Sequence, residues 1–469
     1  MKLAQYIFLC MLLIAPKLLL AQNNRQLTVE QVVAIVQQYH PVALQADILL
    51  KKAAADLTFS RGAFDPVFEN SAANKTFDGT RYYNYNRPAL NIPTWFGIEL
   101  SAGFEYLSGN RTSPEETTGE TSYIGISIPL AKNLLMDKRR AALRTAKIMQ
   151  DASVIERRSI LNDLLLDAVK AYWNWTYQYQ SFKILTDAVT VNEQRLKLVS
   201  TAFRIGERPA IDTTEALSQL QQFQVLQSQA EVEYLNAALG LSAFLWTANQ
   251  QPVDLPVDAI PENDLTSVDI NEVAMPDLPT LLQAAQTNHP ELLLYNFKLD
   301  VLNVEKKLKF QELLPKVNLL YNQLGKGYNI YKTATTPLLE NNFQYGVSIA
   351  MPLRFSEGRA SYKLAKLKIT ETTLQQDMKQ LQVKNKVQRY FNEMLAVKKQ
   401  VEIQEKAYSN YLALQRGEEI RFRAGESSLF LINARETKAL EALVKFQELK
   451  VKYFKAVVSL QWAAGLLVP

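Results

Sequence analysis

Two stretches of this 469-residue chain run for about 65 residues each with almost no helix breaker. From Asp137 to about Phe203 there is neither proline nor glycine, and from Arg359 to about Phe422 there is only Gly417. At 1.5 Å per residue such a helix rises roughly 100 Å. Helices that outrun any globular core must bury their apolar stripes against one another. In the second stretch Ala360, Leu364, Leu367, Leu374, Met378 and Leu381 follow four-three spacing, with Glu371 in the missing slot, and Val387, Phe391 and Met394 resume it. That is the period of a coiled-coil seam, so the chain is expected to be mainly helical, its long helices packed side by side in a bundle or tube.

The long stretches belong to a duplication. His40-Pro41 recurs as His289-Pro290 and Pro66 as Pro315, both at an offset of 249 residues. Arg140-Ala141 answers Arg359-Ala360, and Phe203-Arg204-Ile205-Gly206-Glu207 answers Phe422-Arg423-Ala424-Gly425-Glu426, both at an offset of 219. A glycine at matching places between long helical patterns reads as a tight helix-to-helix turn. The expected layout is a first repeat over 22–250, a proline-rich linker over 251–279 and a second repeat over 280–469. Each repeat runs helix, strands, very long helix, glycine turn, long helix. Asp212-Thr213-Thr214-Glu215 has the composition of a capping box that would start the first returning helix.

Residues 96–106 alternate cleanly, with Phe96, Ile98, Leu100, Ala102, Phe104 and Tyr106 on one face and Glu99, Ser101 and Glu105 on the other. Ile124, Ile126 and Ile128 alternate with Tyr123, Gly125 and Ser127, as do Phe343, Tyr345, Val347 and Ile349 with Gln344, Gly346 and Ser348. Residues 317–323 make a weaker fourth candidate. Strands of this kind fit a tilted membrane wall, with Trp95, Tyr106, Tyr123, Tyr321 and Tyr345 as an aromatic girdle and the loops 107–121 and 325–341 facing outward. Four strands cannot close a barrel, and lipid does not tolerate open edges, so several copies must share one barrel.

The first residues have the layout of a secretory signal, with cleavage expected after Ala21. Position 22 is Gln and the only cysteine, Cys10, lies in the part removed, so neither a lipid anchor nor a disulfide is expected. Removing Lys2 and Lys17 takes the basic residues from 52 to 50 against 47 acidic ones, a net charge of +3 that gives no sign of nucleic-acid binding. Beyond residue 21 no apolar run reaches the length of a membrane-spanning helix.

The duplicated unit, a strand pair in each half, and the turns reading Phe-Arg-x-Gly-Glu resemble the TolC family of outer-membrane efflux proteins, over essentially all of residues 27–465. The resemblance implies a homotrimer in which each protomer gives four strands to a twelve-stranded barrel in outer-membrane lipid, continued by a periplasmic barrel of antiparallel coiled-coil helices. It also implies a periplasmic adaptor and an inner-membrane transporter as partners. The adaptor would dock at the turns, through Phe203, Arg204, Gly206, Glu207 and Asp212 in the first and Phe422, Arg423, Gly425, Glu426 and Asn433 in the second. The family's first tip pattern is met by Gly206, Asp212 and Ala216; the second departs from it, because Leu431 stands where better-known members carry Asp. By alignment the first strand falls at 67–76, whereas the cleaner alternation lies at 96–106, and counting both gives an odd number.

No catalytic chemistry is legible. The two histidines occupy equivalent helix-start positions, Gly325-Lys326-Gly327 lacks the context of a phosphate loop, and no nucleophile motif occurs, so neither enzyme, cofactor nor metal site is expected. A structural or adhesive trimeric coiled coil without a lumen would also use long heptads, but duplication with equal strand pairs in each half argues against it, because a stalk needs only one. A soluble periplasmic helical enzyme is the remaining rival.

Overall fold

The structure, a computed structural model, describes residues 26–467 apart from 111, 114, 115, 257, 263, 264, 266 and 273–275; the expected leader at 1–21 lies outside the described residues. In chain order the elements are β1 (Gln26–Leu27), α1 (Val29–Tyr39), α2 (Pro41–Gly62), β2 (Val67–Phe77), β3 (Thr80–Pro93), β4 (Glu99–Ser108), β5 (Gly119–Pro129), α3 (Lys138–Arg204), α4 (Ala210–Ser242), β6 (Ile260–Pro261), α5 (Leu278–Asn288), α6 (Pro290–Gln311), β7 (Lys316–Lys326), α7 (Ile330–Thr335), β8 (Phe343–Ala350), α8 (Ser356–Arg423) and α9 (Leu429–Ala463). The chain divides into two compact units, and each draws on both halves of the sequence. One holds the chain up to Asp47, Arg158–Pro290 and everything from Gln380; the other holds Ile48–Arg157 and Glu291–Lys379.

The two halves begin alike. Helices α1 and α5 both have 11 residues, and α2 and α6 both have 22. His40 and His289 are the C-caps of the shorter helices, with ψ of 134° and 122°, and the prolines after them open the next helix, where a missing N–H costs no hydrogen bond. Helix α1 also carries a complete capping box between Thr28 and Gln31.

In the first unit the core is aromatic. Tyr172 and Trp175 are fully buried, and Trp173 stacks on Phe454 with ring centroids 4.3 Å apart. The Tyr172 hydroxyl donates to the Leu27 carbonyl at 3.0 Å, and burial pushes its pKa up. Beside it β1 pairs in parallel with β6. The linker is packed down rather than loose: Leu265 is fully buried, Ile270 nearly so, and Lys450 donates to the Val268 carbonyl at 2.7 Å.

The second unit holds one six-stranded antiparallel sheet in the order β2-β3-β4-β5-β7-β8. Four strands were expected. Both contested segments, 67–76 and 96–106, are strands, and β3, which the sequence reading missed, lies between them and keeps the number even. The offset between the halves explains the excess: it falls from 249 at Pro66 to 219 at Arg140, and 249 less 219 leaves 30 extra residues in the first half. Shifting β7 back by 219 gives 97–107, almost the span of β4, so the inserted part is the β2–β3 hairpin. Its turn is Asp78-Gly79, both at positive φ (50° and 67°), the backbone that a two-residue hairpin requires.

Two further expectations change. Phe96 and Ile98 precede β4 rather than belonging to it, because Gly97 turns the chain at φ 86° and the Arg140 guanidinium holds the Phe96 carbonyl at 3.2 Å. The apolar stripe of α8 is not one seam. Val387 and Met394 are buried within the chain, whereas Leu364, Leu367, Leu374, Met378 and Leu381 are each more than half exposed.

Candidate functional site

The sheet has two chemically different faces. Rows of paired residues carry one face across all six strands: Phe68 pairs with Leu90, Leu90 with Ala102, Ala102 with Ile124, Ile124 with Gln323, and Gln323 with Phe343. On this face lie Phe68, Asn70, Ala72 and Asn74 of β2, Asn84, Asn86, Leu90 and Ile92 of β3, and Leu100, Phe104 and Tyr106 of β4. They are continued by Ile124, Ile126 and Ile128 of β5, Val317, Leu319 and Tyr321 of β7, and Phe343, Tyr345, Val347 and Ile349 of β8. The charged strand residues on it, among those described, are Glu120, in the row of Tyr106, and Arg81, which a register shift sets opposite Thr76; both stand beside the loops. The opposite face carries Glu69, Lys75, Arg87, Glu99 and Glu105. There Glu69 accepts from Asn91 at 2.7 Å, and Arg87 pairs with Glu105 at 3.9 Å and with Glu116. On β8 the uncharged face is bare, with Tyr345, Val347 and Ile349 well exposed. Tyr106, Tyr321 and Tyr345 of the expected girdle lie on that face. Tyr123 lies on the charged one, and Trp95 instead stacks on Phe64 at the helix end of the sheet, 4.9 Å between centroids.

The two helix turns share one backbone. Gly206 N–H donates to Phe203 O at 3.0 Å and Glu207 N–H to Ala202 O at 2.9 Å; Gly425 N–H donates to Phe422 O at 3.0 Å and Glu426 N–H to Arg421 O at 2.9 Å. This paired 5→2 and 6→1 closure needs a left-handed residue, and the glycines supply it at φ 80° and 77°. The structure brings the turns together. The Arg208 guanidinium sits 4.1 Å from the Phe422 ring centroid, and Val199, Ala216 and Leu429 form one buried cluster against Leu196 and Phe422.

Away from the turn a polar network joins α3, α4 and α9. Arg195 grips Glu436 with both terminal nitrogens, at 2.5 and 3.0 Å, and also donates to Asn433 Oδ1 at 3.3 Å. Asn433 donates to Glu215 at 3.2 Å and Gln219 to Thr437 at 2.9 Å. Asn433 is buried, so it ties helices together rather than facing out, while Phe203, Ile205, Ile211 and Phe430 stand exposed around the turns. Asp212 does not cap α4. That helix starts at Ala210 after Pro209, which puts Asp212 in the first turn, where it accepts from Arg208 at 3.4 Å. The cap expected there is found instead at the second turn, where Ser428 Oγ accepts from Leu431 N–H at 3.4 Å. Arg204, Arg423, Glu207 and Glu426 are exposed.

A two-faced antiparallel sheet joined to four long helices is the fold of the outer-membrane channels. The chain superposes on the Campylobacter jejuni CmeC outer membrane channel with a TM-score of 0.62 at 16% identity, covering 94% of this chain and 86% of that one. For the open state of the Neisseria gonorrhoeae MtrE outer membrane channel the values are 0.64, 14%, 93% and 88%, and for the outer membrane protein VceC of Vibrio cholerae 0.62, 13%, 93% and 96%. Residues 97–245 match the outer membrane efflux protein family, which agrees with the resemblance read from the repeats and turns. Comparison with curated protein sequences gives no match.

Proposed function

We propose that this chain is the outer-membrane component of a tripartite efflux or type I secretion system, a passive duct whose energy comes from an inner-membrane transporter. The observation that carries the reading is the sheet: a largely apolar face, charged only beside the loops, opposite a face of paired charges suits a wall with lipid outside and water inside. A helical extension into the periplasm accompanies it.

A homotrimer is supported by what one copy leaves uncovered. Besides the bare stripe from Leu364 to Leu381 on α8, Val225, Val232, Leu235 and Leu239 on α4 are all more than half exposed at heptad spacing. Neighbouring copies would cover both stripes. The exposed apolar residues at the turns offer the adaptor its docking surface.

Single-channel conductance of the detergent-extracted protein in planar bilayers, with its mass measured on the same sample, tests the reading. An oligomer giving discrete conductance steps is expected; a soluble monomer would overturn it. Docking is tested by Gly206→Pro with Gly425→Pro, since proline cannot adopt positive φ and lacks the N–H each turn uses. Trimers should persist in the membrane while export is lost, and normal export would show that the turns are not the docking tips.

A further inference from the structure

Granting that this sheet is membrane wall, we propose that every copy contributes all six strands to it, and that the free edge of β2 pairs antiparallel with the free edge of β8 in the next copy. For a trimer, three times six gives eighteen strands rather than twelve.

Three observations place the β2–β3 hairpin inside the wall. The first is shear. The row that starts at Val67, the first residue of β2, passes through Asn91, Ser101, Gly125 and Asn322 and ends on Gln344, the second residue of β8. It crosses from the helix end of one edge strand to the loop end of the other, and the hairpin continues the diagonal without a break. Such stagger is what a closed, tilted barrel requires.

The second is charge. Glu69, Lys75 and Arg87 of the hairpin fall on the face that bears Glu99 and Glu105; the opposite face is uncharged from Phe68 to Asn74 and from Asn84 to Ile92, and Arg81, set opposite Thr76 by the register shift after Lys75, stands at the loop end as Glu120 does. A hairpin lying free in water has no reason to keep its charges on one side in register with its neighbours. In a wall the reason is direct, because a cationic side chain facing lipid at mid-depth costs about 2–4 kcal/mol. Asn74 and Asn84, two of the hairpin's four asparagines on the lipid side, are direct cross-strand partners.

The third is direction. With six alternating strands β2 and β8 run opposite ways, so copies can join head to tail, and the pairing satisfies edge groups that lipid would leave bare. The family match begins at residue 97, just past the hairpin. Walls of 16–18 strands enclose an aqueous channel, and here the added face would line it with both signs of charge.

Cysteine pairs on the lipid side test the proposal; the natural Cys10 lies in the expected leader. One set joins Asn70→Cys, Ala72→Cys or Asn74→Cys to Tyr345→Cys, Val347→Cys or Ile349→Cys. The rival set joins Leu100→Cys, Ala102→Cys or Phe104→Cys to the same three positions on β8. After oxidation, denaturing gels should shift the first set from monomer to dimer and trimer bands and leave the second unshifted. Oligomers cross-linked only through the rival set would overturn the proposal, because β4 would then be the edge and the hairpin would lie outside a twelve-stranded wall. Oligomers cross-linked by neither set would overturn it too. A monomer cross-linked by neither would overturn the channel reading as well, which the mass of the uncross-linked protein shows separately.

Discussion

At Gly206 and Gly425 the chain closes a helix with the same pair of backbone hydrogen bonds, and the two φ angles differ by only 3° (80° and 77°). The helices that leave the turns start differently. After the first turn α4 begins behind Pro209 with no side-chain cap, and its first turn is held by Arg208 and Asp212; after the second, α9 begins on Ser428, which caps it, while Ser427 bonds to Glu418. The turn geometry thus comes from the glycine and the helix behind it, whereas each departing helix is secured by whatever its own sequence offers. The two ends are then fastened to one another by Arg208 on Phe422 and by Arg195 on Glu436.

The largest expected effect comes from breaking that fastening. Arg195→Ala leaves Glu436 buried without its guanidinium and should lower stability by about 3–5 kcal/mol, read as a fall in the denaturant midpoint of the detergent-extracted protein. A loss below ~1 kcal/mol would mean that the two turns are held independently. Gly206→Ala and Gly425→Ala should each cost about 1–2 kcal/mol, and equally, since no atom lies within 4 Å of the added Cβ and only the left-handed backbone is penalised. Unequal losses would show that the shared backbone hides a difference in strain. Ser428→Ala should cost about 1 kcal/mol, while Pro209→Ala removes no side-chain cap. Equal losses there would undo the contrast in capping. Arg208→Ala, at a partly exposed site, should cost about 0.5–1 kcal/mol.

The smallest effect lies outside the turns, at the first histidine corner. Burial holds the His40 imidazole below its ordinary value, partly offset by a hydrogen bond with the Ala243 backbone, and its Nδ1 accepts the Val42 N–H at 3.2 Å. The unfolded chain therefore takes up a proton first. The contribution is complete at neutral pH and is lost as pH falls from about 6.5 through the lower folded value. His40→Gln should flatten that part of the stability–pH curve, and an unchanged curve would assign the slope elsewhere.

The long helices were legible because proline and glycine are absent over whole stretches, and the turns because one glycine recurs in the same five-residue setting. Strand β3 was not, because Thr80–Pro93 lacks the apolar alternation of its neighbours: its first eight residues are threonine, arginine, tyrosine and asparagine. Its signal was local: Asp78-Gly79 is a two-residue hairpin turn, and the drop in offset between the halves measures the insertion that it closes. The cap of α4 was misplaced for a related reason. The Asp-Thr-Thr-Glu pattern fits a capping box, but Pro209 fixes an extended residue earlier in the chain and starts the helix before Asp212 is reached. Asn433 shows what composition cannot supply, since only the packed helices reveal that its amide is shared between Arg195 and Glu215.

The sameness of the two turns also bears on stoichiometry. A partner that recognises only the glycine closure and the Phe-Arg pair before it would count two sites on every chain and bind at twice the channel's molar amount. A partner that reads the residues on the far side of the glycine, either the Arg208–Asp212 pair or the Ser427–Ser428 cap, would count one.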